Sequence, residues 1–313
     1  MGQKTNLAIK PSSDLMQQEH ALAAYIGLAV GDALGATVEF MTAREIQSNY
    51  GVHRKIVGGG WLKLKPGQVT DDTEMSLSLG RAILEVQAIH AQAIAQAYSD
   101  WMHSKPVDIG NTVRRGIVHY RNSGDCIVPF SEHDAGNGAC MRSLPVALAM
   151  LGADEAELRR ASRIQAHITH NNDVSDLGTE CVMRMVQCAI QGGEKQDLKN
   201  LAEELIASEP LYAYYQQQEN PSGYIVETLR AVFQAFFSTE NFEKAMLDVV
   251  NRGGDSDTTG AILGMIAGAY YGSNAIPEQW RKAMNQEVLL QCREQALALL
   301  QLAPVGIGLR SEL

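Results

Sequence analysis

From His20 onward, apolar residues recur every three to four positions along most of the chain, the period of one face of an α-helix. The pattern predicts helices over 18–35, 72–103, 108–121, 138–151, 154–170, 174–191, 196–208, 223–237, 240–251, 258–272 and 277–302. Pro277 suits the first turn of the last, where a missing N–H goes unnoticed. Strict alternation of Val, Ile and Thr is nearly absent, so a strand is expected at most near 54–64. Residues 1–17 are polar, carry Pro11, Ser12 and Ser13, and read as a loose leader. No linker-like stretch divides residues 18–313, which predicts one all-α domain.

Two predicted helices carry glycine at every fourth position: Gly27, Gly31 and Gly35 in YIGLAVGDALGATVEF, and Gly260, Gly264, Gly268 and Gly272 in DTTGAILGMIAGAYYG. Each glycine costs about 1 kcal/mol relative to alanine in a helix. A cost repeated along one face points to close backbone approach between helices. These glycines are expected to build the centre of the bundle and to take no part in chemistry.

At 313 residues with 45% hydrophobic content, the chain can bury a substantial core. A formal net charge of −10 and no Lys/Arg run argue against sequence-independent nucleic-acid binding. The five cysteines, Cys126, Cys140, Cys181, Cys188 and Cys292, form no Cys-x-x-Cys pair. Neither a disulfide framework nor a thiolate zinc site is signalled, and a reducing cytoplasm is the simple expectation. The longest apolar stretch, around Ala261 to Tyr271, is too short to span a bilayer.

Two clusters carry the chemistry. Thr70, Asp71, Asp72, Thr73 and Glu74 stand in GQVTDDTEMSL, and Asp255, Ser256, Asp257, Thr258 and Thr259 in GGDSDTTG, each at the start of an apolar helix. Singly, each can be read as helix capping, and Asp71 with Glu74 even has capping-box spacing. Together they bring carboxylates and hydroxyls into small spaces, where like charges repel unless a cation lies between them or one stays protonated. Hard oxygen donors suit Mg²⁺, Mn²⁺ or Ca²⁺ better than zinc. Two half-sites could meet to hold two metals.

Weaker signals lie elsewhere. Gly136, Asn137 and Gly138 precede Met141, Arg142 and Ser143, and glycines there would let backbone N–H groups and a helix start approach a phosphate, with Arg142 adding charge. A plain loop-to-helix turn reads equally well. His167 and His170 lie three apart near a helix end without a recognisable third ligand, so packing or capping histidines are the simpler reading. Asp108 opens DIGNT and could cap a helix; Glu39 in VEF reads as solvated.

In order along the chain, GDALGATVEF, VTDDTEMSL, GNGACMRSLPVAL, THNND and NRGGDSDTTGAILGMIAGAYYG resemble the motifs of the ADP-ribosylglycohydrolase family, over about residues 20–300. The resemblance implies a compact orthogonal helical bundle with a binuclear Mg²⁺ or Mn²⁺ centre. Its implied ligands are Thr70, Asp71, Asp72, Asp255, Asp257 and Thr258. It assigns catalysis to Asp108, Glu39 and Asp71, with Asp108 beside the reacting sugar and Glu39 gating or completing the metal site. Gly136, Asn137, Gly138, Met141 and Arg142 match the loop that cradles ADP-ribose, and His167 or its neighbour His170 matches a histidine near the ligand. VGGGWLKLKPGQVTDDTEMSL is most similar to the bacterial branch that acts on ADP-ribosylated nitrogenase iron protein. That branch implies an arginine linkage, a PII-type regulatory protein, and a cytoplasmic enzyme recruited to the membrane through a partner. A serine-linked or ester-linked ADP-ribose, or a binding-only module, are the alternatives.

Overall fold

The computed structural model describes residues 13–304, all in helices and connecting turns. In chain order the helices are α1 (Ser13–Gly35), α2 (Ala43–Tyr50), α3 (Asp71–Val86), α4 (Ala91–His103), α5 (Asn111–Ser123), α6 (Gly138–Met141), α7 (Leu144–Ala149) and α8 (Glu155–Ala166). There follow α9 (Asp173–Ile190), α10 (Lys195–Ser208), α11 (Ile225–Ser238), α12 (Phe242–Val250), α13 (Ser256–Tyr271), α14 (Glu278–Ala283) and α15 (Gln286–Leu302). No strand forms among the described residues; the segment 54–64 contributes only the antiparallel bridge between Gly59 and Leu64. The fold is all-α. Helix α1 starts before residue 18, so the end of the expected leader is helical, and residues 1–12 lie outside the described residues. All five cysteines are free. Among the described residues no helix is long and apolar enough to cross a membrane.

The glycine stripes form the axis of the molecule. A Cβ on Gly27 would collide with the carbonyl oxygen of Gly264, one on Gly31 with that of Gly260, and one on Gly35 with that of Ser256. The partners' numbers fall as α1 rises, so α1 and α13 run antiparallel with their backbones in contact. This is the most extensive helix pair in the fold. α13 is buried from Ser256 to Ala269, which explains its near-uniform hydrophobicity. α3, α9, α12 and α15 pack around this pair. The geometry has one decisive result: the C-terminal end of α1 lies beside the N-terminal end of α13.

Three long predicted helices are each broken in two, and in each case apolar periodicity runs through the break. Residues 72–103 divide at Gln87, which takes the left-handed conformation (φ +54°) and closes α3, while the His90 ring accepts the Ala93 N–H to start α4. Residues 138–151 divide at Arg142–Ser143, because Pro145 has no N–H to give to the Met141 carbonyl. Residues 277–302 divide at Met284–Asn285. Asn285 caps α15 by accepting the Glu287 and Val288 N–H groups, and its own N–H reaches the Gly67 carbonyl. Pro277 precedes α14 as its N-cap instead of sitting in its first turn. The unpredicted α2 opens on a capping box in which Thr42 and Glu45 satisfy each other's backbone N–H.

Candidate active site

The loop after α1 and the loop before α13 are zipped together. The Phe40 N–H donates to the Gly254 carbonyl at 2.7 Å, the Gly254 N–H donates to the Met41 carbonyl at 2.9 Å, and Thr42 bridges Gly253. Gly253 and Gly254 both have φ in the left-handed region, +77° and +67°. At Gly254 a Cβ would strike the backbone of Pro221, so NRGGD can turn here only with glycine. The turn sets Asp255 and Asp257 against Glu39. Ligand-capable atoms of these three carboxylates lie within 4.8 Å of one another.

The first cluster arrives from the other side. Asp32, buried in α1, accepts hydrogen bonds from the Thr70 N–H and hydroxyl and from the Thr73 N–H and hydroxyl, at 2.5–3.1 Å. This fastens the start of α3 to α1. The Thr70 hydroxyl then lies 3.3 Å from both Asp72 and Asp257, and the Thr258 hydroxyl 3.4 Å from Asp72. The clusters therefore meet.

Neither cluster caps its helix from the N-cap position. Thr70 and Asp255 occupy the N-cap positions of α3 and α13 and make no side-chain cap hydrogen bond. Asp71 instead accepts from the Gly110 N–H at 3.3 Å, and Glu74 accepts from the Trp101 indole at 2.9 Å, so no capping box forms. Asp255 accepts from the Asn137 amide at 2.6 Å. Only Asp257 takes a backbone donor from its own helix start, the Thr258 N–H at 2.9 Å; Asp71, Glu74 and Asp255 turn to groups outside their helices.

Above this floor opens a cleft of about 690 Å³. It is lined by Glu39, Asp71, Asp108, Asp255, Asp257 and Thr258 of the expected acidic set, and by Gly136, Asn137, Gly138 and Met141 of the expected loop. Thr70 and Asp72 sit beneath it, buried. Asp108 bonds its own neighbour's N–H (Ile109, 2.8 Å) and caps nothing; Gly110 stands at the N-cap of α5. Two placements differ from expectation. Arg142 is fully buried away from the cleft lining, its side chain turned inward to Gln165 and Thr169. His170, not His167, lines the cleft; His167 bonds Asp176 at 2.8 Å. The four-residue α6 also offers little of a helix start to a phosphate.

Comparison with known proteins agrees with this architecture. The family model for ADP-ribosylglycohydrolase matches residues 13–306. This chain belongs to the ADP-ribosylglycohydrolase family. It is 47% identical to the ADP-ribosyl-[dinitrogen reductase] glycohydrolase of Rhodospirillum rubrum, over 91% of this chain and 97% of that one. It is 29% identical to an ADP-ribosylarginine hydrolase of Serratia proteamaculans, over 91% and 80% of the two chains. A solved structure titled ADP-ribosylglycohydrolase-related protein complex superposes with a TM-score of 0.82 at 33% identity, covering 92% of this chain and 99% of the other.

In this glycohydrolase the electrostatics of the floor fit a hard cation. Burial first, and repulsion among carboxylates second, push the carboxyls of Asp72 and Asp257 well above their ordinary range. The same two causes raise Asp71 to about 8. Glu39 also rises to about 8, chiefly by burial, against a lowering hydrogen bond from Trp61. One oxygen of Asp72 is buried with no hydrogen-bond partner at all. An orphaned carboxylate oxygen among four other carboxylates and two threonine hydroxyls has the donor chemistry of a divalent-cation site.

Several residues of the site escape sequence reasoning. Asp32 was legible in principle as the one charge in the apolar, glycine-striped stretch 21–35. Phe40 and Trp61 lie in loops without a periodic signal, and Asn111, Thr112 and Arg114 in the first turn of α5, where periodicity predicts a helix but marks no site; all line the cleft.

Proposed function

We propose that this chain hydrolyses the N-glycosidic bond between ribose C1 of ADP-ribose and the guanidinium of a modified arginine, and that its target is the iron protein of nitrogenase. The observation that carries the reading is the meeting of two Asp/Thr clusters on the floor of one cleft, with the Gly136–Gly138 loop on its wall. The linkage and target follow the relatives' names: the Rhodospirillum rubrum relative acts on dinitrogen reductase and the Serratia proteamaculans relative on ADP-ribosylarginine.

The cofactor is a pair of Mn²⁺ or Mg²⁺ ions held by Thr70, Asp71, Asp72, Asp255, Asp257 and Thr258, with Glu39 completing the site. When bound, such ions polarise oxygen atoms of a sugar and of water and offset developing charge. Asn137, oriented by Thr228 and by Asp255, fixes the wall against which the ligand lies. Asp108 is the proton-transfer group: as the C1–N bond breaks and a water oxygen bonds C1, the departing guanidine gains a proton and the water loses one. Asp108 suits this because burial raises its carboxyl above the ordinary range while leaving it on the cleft surface. His170 takes the role of the ligand-facing histidine. Following the same branch, the enzyme is cytoplasmic, answers to a PII-type protein and reaches the membrane through that partner.

The test is release of free ADP-ribose from an arginine-ADP-ribosylated protein, with Mn²⁺ added and with the metal chelated. Metal-dependent release is expected. No release from protein that carries two metals would move the substrate to a serine-linked or ester-linked ADP-ribose.

A further inference from the structure

Phe40 and Trp61 stand on the cleft wall at a cost. Phe40 is 65% exposed and Trp61 53%, so neither ring gains much from burial. Their centroids lie 5.4 Å apart with planes at 46°. Phe40 also has φ +62°, in the left-handed region that a bulky side chain avoids. Its N–H to the Gly254 carbonyl, with the Gly254 N–H to the carbonyl of the neighbouring Met41, pins it to the loop that delivers Asp255. The Trp61 indole N–H is committed to Glu39 at 2.7 Å, which anchors the ring beside the cleft carboxylate. Strain and exposed apolar surface, kept rigid at the mouth of a cleft, need a compensating ligand.

A π face next to a carboxylate takes a planar cation. Guanidinium stacks on aromatic rings and pairs with carboxylates, and the acidic floor favours positive charge approaching this wall. We propose that Phe40 and Trp61 form an aromatic clamp for the guanidinium of the ADP-ribosylated arginine, and so select the leaving group. The clamp rests on the arginine-linked reading above. An uncharged serine or ester leaving group gains much less from such a wall.

The test compares the Mn²⁺-loaded wild-type protein with Phe40→Leu and Phe40→Tyr. Both variants bear the same backbone demand at φ +62°, so their difference isolates the π face. The measurements are steady-state hydrolysis of ADP-ribosyl-agmatine and calorimetric affinity for ADP-ribose, which lacks the guanidinium. Phe40→Leu is expected to lower kcat/KM about fivefold, through KM, with ADP-ribose affinity unchanged, and Phe40→Tyr to restore it. Wild-type kcat/KM in Phe40→Leu would overturn the clamp and leave the arginine reading standing. An equal loss of ADP-ribose affinity would overturn it too, by placing Phe40 against the ADP-ribose moiety. A wild-type protein that binds ADP-ribose but does not turn over the agmatine conjugate overturns the arginine reading and the clamp together.

Discussion

Arg142 and the acidic floor bury charge in the same interior in opposite ways. Arg142 is one fully buried cation with its needs largely met: Nε donates to the Gln165 side chain at 3.0 Å, and Nη2 to the Gln165 carbonyl at 3.1 Å and the Thr169 hydroxyl at 2.7 Å. Its guanidinium also lies 4.7 Å from the centre of the Tyr98 ring. The acidic floor gathers Asp71, Asp72, Asp255, Asp257 and Glu39; burial acts first on all five, repulsion from other carboxylates second on Asp71, Asp72 and Asp257, and hydrogen bonds from Asn137 and Trp61 second on Asp255 and Glu39. One buried cation spread over several acceptors reads as scaffold, although its Nη1 has no partner; several like charges buried together, one with an unpartnered oxygen, have the chemistry of a ligand site.

The sharpest way to break this contrast is to remove one member of each. Asp257→Asn should lower metal-dependent ADP-ribose release by about 100-fold or more, since a charged ligand is lost from a set the neutral amide cannot replace. The chelated variant should melt at or above the wild-type temperature, because one repelling carboxylate is gone. Asp71→Asn should behave in the same way. Wild-type turnover in both variants would sink the metal reading. Arg142→Ala should do the reverse in stability: leaving Gln165 and Thr169 without their donor, inside a new cavity, should cost about 3 kcal/mol in urea unfolding. A loss below about 1 kcal/mol would show that Arg142 is not structural.

The helix axis offers a third break. Gly264→Ala would force a methyl into the Gly27 carbonyl, a backbone atom that cannot rotate away. About 2 kcal/mol of stability should be lost. Activity should fall with it, since the register of α1 against α13 brings Asp32 and Asp257 both within reach of the Thr70 hydroxyl. A Gly264→Ala protein as stable as wild type would mean the two backbones are not in contact.

These differences also explain what could be read from the sequence. The acidic clusters were legible because their polar groups are adjacent in the chain, with carboxylates and hydroxyls within a single turn. The glycine stripes were legible because their period matches the helix. The inward turn of Arg142 was not legible because it sits at the Arg142–Ser143 break, and apolar periodicity passes through breaks unchanged. Asp32 was missed because its partners, Thr70 and Thr73, lie 38 and 41 residues away. Similarly, nothing local separates His167 from His170; what decides is that His170 packs beneath Gly136 and Gly138 while His167 turns to Asp176.

His170 yields the finest test of the comparison, because it touches both regions. It lines the cleft, and its Nδ1 lies 2.7 Å from the Thr169 hydroxyl that also receives Arg142. That hydroxyl, accepting from Arg142, has its own proton free for Nδ1, which leaves the ring neutral with its proton on Nε2. Burial first, and the Arg142 charge second, push the imidazole down to about 3. In the unfolded chain it returns to about 6.5. Between these values the unfolded state binds the extra proton, so His170 makes the fold less stable as pH falls below about 6.5, by at most about 1.4 kcal/mol per pH unit. The metal-free carboxylates, pushed upward, titrate with the opposite sign, so the raw pH dependence mixes the two. The informative quantity is the difference between wild type and His170→Gln in urea unfolding at pH 7 and pH 5.5, both chelated. The wild type should lose about 1 kcal/mol more than the variant over that interval. Parallel pH dependence would mean that the ring takes up its proton in the folded state, and that Arg142 and Thr169 do not hold it neutral.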